Sequence, residues 1–263
     1  MPRRPRVEAA GFHHIVNRGV AGSDVYHCRE DKDTFLKILC HACDDYKVNV
    51  HDYCLMDNHY HLVVETTQEN LSLFMRRINS NYAIFFNKKY ERSGHLWQGR
   101  YKSWYIYNEE YLYTLFRYIE HNPFKSKLIE EIGQYDYTLL APVINKYLKL
   151  PKCAEHSKLK HEFYNDGIQE LLEIALSEDE LKVLQNEQKK KIVQVDHEYK
   201  PFELPEIETY FKVNMNKDER NIAIIKAIED GYKQSLIAGF LGVSASTIVK
   251  IKNRSKVAIT EAI

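Results

Sequence analysis

Charge of one sign is what this 263-residue chain lacks, since 37 Lys and Arg balance 37 Asp and Glu. No global field therefore announces a nucleic-acid partner, and any such binding must come from local patches. Long apolar runs are missing too. No stretch approaches the roughly 18 apolar residues that span a bilayer, so no membrane partner is expected. The opening MPRRPRVEAAG is basic but has no apolar core of a signal peptide, and the expectation is a cytoplasmic protein. Cysteines are few and odd in number: Cys28, Cys40, Cys43, Cys54 and Cys153. Their scatter predicts reduced thiols rather than a disulfide framework. The single CxxC at Cys40–Cys43 has no second pair to complete a tetrahedral zinc site, so structural thiols are expected there.

What is present is tyrosine, 19 of them, many between Tyr82 and Tyr118. Residues 12–18 (FHHIVNR) read as a strand and 30–46 as a helix. Residues 48–56 and 58–65 read as two strands joined by a polar turn at Asp57-Asn58. Leu71, Phe74, Ile78, Tyr82 and Phe85 repeat at helical spacing across 70–90. A short strand at 102–107 and a helix at 109–122 follow, the helix stopped by Pro123. The order β-α-β-β-α-β predicts an α+β fold, a ferredoxin-like antiparallel sheet covered by helices.

The stretch DNHYHLVVE (57–65) carries the first candidate chemistry. Residues two apart on a strand share a face, so His59 and His61 stand side by side while Tyr60, Leu62 and Val64 face the core. Such a pair suits metal ligation, and equally suits a hydrogen-bonded pair on a sheet face. A third ligand is offered by the helix EYLYTLFRYIEHNPFKSKL. Tyr118 and Asn122 are four apart, hence on one face and about 6 Å apart along the axis. An Asn122 carbonyl oxygen would complete a site for Mg²⁺ or Mn²⁺. Tyr118 would hold its phenol beside a polarised phosphodiester, as nucleophilic attack requires, giving a 5′-phosphotyrosine link and a free 3′-OH. Tyr111, seven residues earlier, is a rival on nearly the same face. Glu120 could serve as an outer partner. His13 and His14 are expected in the first strand or a DNA groove.

Together CLMDNHYHLVVE, SGHLWQGRYKS and RYIEHNPFKSKL resemble the REP-associated tyrosine transposases, single-tyrosine members of the HUH (His-hydrophobe-His) endonucleases. The similarity covers roughly residues 8–140. It implies a HUH endonuclease fold, His59, His61 and Asn122 as metal ligands and Tyr118 as nucleophile. It also implies action on single-stranded DNA beside short hairpins. The chain departs from the family pattern at Asp57, where Pro is usual, and at Phe124-Lys125-Ser126-Lys127, where Val-Arg-Ala-Gly is usual.

For the DNA itself, basic and aromatic residues interleave across 87–105, as single-strand binding uses them. Lys88, Lys89, Arg92, Arg100 and Lys102 would meet phosphates and Trp97 and Tyr101 bases, with Arg76 and Arg77 adding charge. About half of these aromatics are expected to fill the core instead. Residues 1–150 then form the catalytic domain and 151–215 a charged helical connector, whose lysine run is a solvated face. Residues 216–263 read as a helix-turn-helix, turning at Gly242 and capped by Ser244. Between 217 and 256 eight Lys and Arg outnumber four Asp and Glu. Ser246, Thr247 and Lys250 would face a duplex, and Lys252 and Arg254 its phosphates.

The expectation is a metal-dependent DNA endonuclease and strand transferase, monomer or homodimer. Its rivals are a catalytically inactive transposase-derived DNA-binding regulator and, last, a zinc hydrolase. No acidic or Cys third ligand stands at a suitable spacing for the hydrolase.

Overall fold

Alternation of apolar and polar residues over β1 (Gly11–Arg18), β2 (Val48–Met56), β3 (His59–Thr66) and β4 (Lys102–Ile106) gives strands with two distinct faces. The computed structural model describes residues 6–165, 169–195, 198–212 and 214–260, apart from the side chains of 165, 169, 171, 245 and 254–260. The strands form one antiparallel sheet in the order β2-β3-β1-β4. Between them run α1 (Arg29–Tyr46) and α2 (Leu71–Lys89), and α3 (Glu109–Glu120) follows β4. This is the expected α+β, ferredoxin-like arrangement.

Tyr60, Leu62 and Val64 point to one face and are fully buried. There they meet α1 and α2, whose Phe35, Leu39, Phe74, Ile78, Tyr82 and Phe86 are equally buried. Tyr60 packs on Phe35 with ring centroids 4.9 Å apart. Each such side chain contributes about 1.5–3 kcal/mol on burial. The opposite face is covered by α3 through buried Leu112, Leu115, Phe116 and Ile119.

Helix α3 begins where Asn108 Oδ1 accepts the Tyr111 N–H at 2.8 Å, an N-cap. It stops at Glu120, two residues earlier than the sequence predicts. Pro123 offers no N–H to the helix ladder and instead sits in the first turn of α4 (Asn122–Lys125), where a missing donor costs nothing.

Downstream come α5 (Leu140–Ile144), α6 (Lys158–Asn165), α7 (Gln169–Glu173) and α8 (Glu178–Glu187). The expected helical connector also contains a hairpin, β5 (Ile192–Val195) with β6 (Glu198–Pro201). Ile192, Val193 and Val195 are β-branched and favour strand, but four residues are too few to show a period.

These helices back α3. Arg117 donates to the Ile174 carbonyl at 3.1 Å and to Glu180 at 2.8 Å. His121 Nε2 donates to the Leu172 carbonyl at 2.7 Å, and Tyr113 to Glu162 at 2.9 Å. A bulge between Val50 and Asp52 re-aims His51. His51 Nε2 donates to Glu65 at 3.1 Å while Nδ1 accepts the Lys158 N–H at 2.9 Å.

The expectation of reduced thiols is corrected at one place. Cys40 and Cys153 form a disulfide, Cα atoms 4.9 Å apart and 113 residues apart in sequence. Such a pairing leaves no local signature, because only the fold brings α1 to the segment before α6. Cys28 is free and exposed, and Cys43 and Cys54 are free and buried.

The chain divides after Pro201 into two compact units. The second contains α9 (Lys217–Asp230), α10 (Gln234–Phe240) and α11 (Ala245–Thr260). Asn216 and Glu219 close a capping box at the start of α9. Ala223, Ile224, Ala227, Ile237, Ala238 and Ile248 form its core, with Leu241, Val243 and Ile251 packed around it. Gly242 turns the chain between α10 and α11 at φ +63°, a left-handed conformation that suits glycine.

Candidate active site

On β3, opposite the Tyr60 face, His59 and His61 stand with ring centroids 5.1 Å apart. Tyr118 of α3 packs edge-on against His61 at 5.6 Å, the ring planes at 78°. The structure therefore brings together the histidine pair and the tyrosine. Tyr118 is half-buried, and burial raises its phenol pKa, with Cys54 adding a smaller push. Asn122 follows one turn later and donates from Nδ2 to the Tyr118 carbonyl at 2.7 Å. Lys125 of α4 places Nζ 5.3 Å from the centroid of the Tyr118 ring, within cation–π reach, and its pKa is lowered by burial. Tyr111 is buried and packs on Tyr107 at 6.1 Å.

The two imidazoles keep Nδ1 occupied. Asn58 Nδ2 donates to the Gly22 carbonyl at 3.2 Å, so its Oδ1 is the atom 2.6 Å from His59 Nδ1. An amide oxygen only accepts, so His59 Nδ1 carries the hydrogen and Nε2 presents a bare lone pair. His61 Nδ1 lies 3.1 Å from His14 Nε2. Burial lowers the pKa of His59, with Arg18 adding to it, and lowers that of His61 far more, with His14 and His59 adding to it. Both rings are neutral at neutral pH, the form that ligates a metal. Among the described residues no three His, Cys, Asp or Glu side chains converge as a metal cluster, so a third protein donor would have to be of another type. Two imidazole nitrogens with an amide oxygen fit a cation that takes mixed N and O donors.

His14 lies in the first strand, as expected, and is buried there beside His61, 1% exposed. His13 is also buried, on the other face, bonded to the Ala9 carbonyl at 2.8 Å. Arg18, exposed and paired directly opposite His59 across the β1–β3 ladder, is a further cation beside the site. The signal for both was register: FHHIVNR places His14, Val16 and Arg18 on one face, but which face needs the pairing partner.

Beneath α3, Asp52 and Glu120 are both buried carboxyls. Burial, reinforced in Asp52 by the charge of Glu120, raises the pKa of both. Glu120 Oε1 also accepts the Leu140 N–H at 3.1 Å.

Other candidates scatter. Trp97 is packed on Tyr60 at 5.5 Å and donates Nε1–H to the Asn79 carbonyl at 3.0 Å. Tyr101 is 7% exposed beneath Arg6, whose Cζ lies 3.8 Å from the ring centroid. Tyr101 is thus a core residue, while Trp97 is half-buried and packed against the core. Lys89 is held by Glu30 at 2.6 Å and Asp31 at 2.8 Å, which corrects its assignment to phosphate. Arg76, Arg77 and Lys88 are exposed on α2, across the sheet from the histidines, with Arg77 3.9 Å from Asp45. Arg92 is half-buried near Phe86, and Arg100 is exposed. Lys102 is exposed opposite Val16, which itself pairs with His61, and so lies on the histidine face.

In the second unit Ser246, Thr247 and Lys250 are exposed, and Ser244 Oγ accepts the Thr247 N–H at 3.3 Å as the expected cap. Lys252 is half-buried. The side chain of Arg254 lies outside the described residues.

An antiparallel sheet with a His-hydrophobe-His strand, faced by a tyrosine-bearing helix, defines a class of α+β domain. Residues 13–122 match the family model described as Transposase IS200 like. Solved structures similar to the chain include the following two. A REP-associated tyrosine transposase bound to a REP hairpin is 15% identical at a TM-score of 0.47, over 60% of this chain and 93% of that one. A protein of Deinococcus radiodurans R1 described as a transposase is 17% identical at a TM-score of 0.33, over 46% of this chain and 97% of that one. No curated protein matches the chain.

Proposed function

We propose that the chain is a single-strand DNA endonuclease and strand transferase that forms a 5′-phosphotyrosine intermediate at hairpin-associated sites. The observation that carries this reading is Tyr118 packed 5.6 Å from His61 within a segment that matches a transposase family model. His59 Nε2, His61 Nε2 and Asn122 Oδ1 would hold Mg²⁺ or Mn²⁺, which supplies Lewis-acid polarisation of a phosphodiester.

The Tyr118 oxygen attacks phosphorus, the new O–P bond forms, and the bond from phosphorus to the 3′ oxygen breaks. The phenol gives up its proton and the leaving 3′ oxygen gains one. Because one ester replaces another, a second 3′-OH can reverse the step without ATP. Arg18, Lys102 and Lys125 are the exposed cations around the histidine face that can neutralise phosphates and orient the strand. In the second unit, Ser246, Thr247 and Lys250 are offered to a DNA duplex.

The test is covalent trapping. Incubation with Mn²⁺ and end-labelled hairpin oligonucleotides should give a denaturation-resistant protein–DNA adduct, absent from a folded Tyr118→Phe variant. An adduct that survives that substitution assigns the nucleophile elsewhere.

A further inference from the structure

We propose that His14 is a positioning residue, holding His61 in the orientation and tautomer a ligand needs; this rests on the reading of His61 as a ligand. His14 Nε2 lies 3.1 Å from His61 Nδ1, with the two rings nearly parallel at 13° and centroids 5.4 Å apart. Trp104 stacks on His14 at 5.1 Å and 28°. His14 is thus fixed by packing, His61 by His14, and both are almost wholly buried.

Two neutral imidazoles share one hydrogen in such a contact. If His14 Nε2–H donates, His61 carries its own hydrogen on Nε2, which makes that nitrogen a donor and useless as a ligand. If His61 Nδ1–H donates, Nε2 is left with a lone pair, and His14 carries its hydrogen on Nδ1. His14 Nδ1 is buried without a partner, so neither arrangement is favoured by satisfying that atom. This is the contrast with His59, whose tautomer the Asn58 oxygen dictates. His61 has a partner that can accept or donate, and ligation at Nε2 selects the state in which His14 accepts.

The partner must therefore be an acceptor at the position of His14 Nε2. A glutamine there can offer its carbonyl oxygen, which would fix the ligating tautomer outright. A phenylalanine keeps the stack on Trp104 but leaves His61 Nδ1 with nothing. Loss of such an outer partner costs about 10- to 100-fold in metal affinity.

The experiment measures Mn²⁺ affinity by calorimetry, and the imidazole tautomers by ¹⁵N NMR with diamagnetic Mg²⁺ as the loading ion, in wild type, His14→Gln, His14→Phe and His59→Ala. Expected are weakening of about 10-fold or more in His14→Phe, affinity within a few-fold of wild type in His14→Gln, and hydrogen on Nδ1 of His61 in the loaded protein. The Gln variant answers the question even if the Phe variant fails to fold, because loss of Mn²⁺ binding in a folded Gln variant overturns the acceptor role. Wild-type affinity in a folded His14→Phe also overturns the inference, while leaving the ligand reading intact if His59→Ala abolishes binding. Wild type that binds no Mn²⁺ at all overturns that reading and this inference with it.

Discussion

The side-chain amide of Asn122 donates from Nδ2 to the main-chain carbonyl of Tyr118 at 2.7 Å. A carbonyl can only accept, so the amide's orientation is fixed and its oxygen is left for other use. Asn122→Ala removes both the oxygen and a hydrogen bond at the junction of α3 and α4. Adduct formation should then require at least about tenfold more Mn²⁺, with yield recovering as metal is raised. A Mn²⁺ titration of the trapping reaction checks this; an unchanged midpoint would remove Asn122 from the ligand set.

Trp97 and Tyr101 act through packing. Trp97→Ala should destabilise the protein by about 3 kcal/mol, read as a lower denaturant midpoint. If the indole served DNA bases instead, oligonucleotide affinity would drop while the midpoint stayed put.

The Cys40–Cys153 bridge spans 113 residues. Disulfides typically stabilise by about 2–4 kcal/mol, chiefly by restricting the unfolded chain, and more for longer loops. Reductant should lower the melting temperature of wild type and leave Cys153→Ser unchanged. Equal responses of the two proteins would show that the bridge is not formed in solution.

Stability should fall as pH drops below neutrality. Burial lowers His13 from 6.5 to about 4 and His14 from 6.5 to about 3, and holds His61 well below 6.5 as well. Between those values and 6.5 the unfolded chain binds more protons than the folded one, so acid favours unfolding. The Asp52–Glu120 pair has the opposite sign, since its raised pKa costs stability as pH rises through the carboxylate range. Three histidines outweigh one pair, and the urea midpoint should be lower at pH 5 than at pH 7. A flat or inverted profile contradicts the burial of these rings.

Glu120→Gln tests that pair separately. With burial already biasing both dry carboxyls toward the neutral form, a neutral amide should be tolerated near pH 6 and become comparatively stabilising at pH 8. Glu120→Ala, which strands Asp52 and the Leu140 N–H, should cost about 1–3 kcal/mol. Chemical denaturation at the two pH values distinguishes the outcomes.

The sheet, its helices and the histidine face were legible because period-two and helical patterns are strong between residues 11 and 120. His59, His61 and Tyr118 were found by spacing and motif. Less visible was whatever depends on pairing across the fold. His14 reads as one of two adjacent histidines until register places it beside His61. Lys89 looks like a free cation until α1 supplies two carboxylates. Cys153 meets Cys40 only after α1 and the chain before α6 have docked. The β5–β6 hairpin was hidden by brevity within a charged segment.

The extra residue in β2 has a reach beyond its own strand. By re-aiming His51, it gives the start of α6 a foothold, with Ser157 Oγ bonded to the His51 carbonyl at 2.7 Å. The tyrosine helix consequently lies in a sleeve, sheet below and α6–α8 above, with Arg117 and His121 drawing their acceptors from the upper wall. A fragment ending near residue 150 would strip that wall away. The span able to hold Tyr118 still is set by chain well past the last recognisable motif.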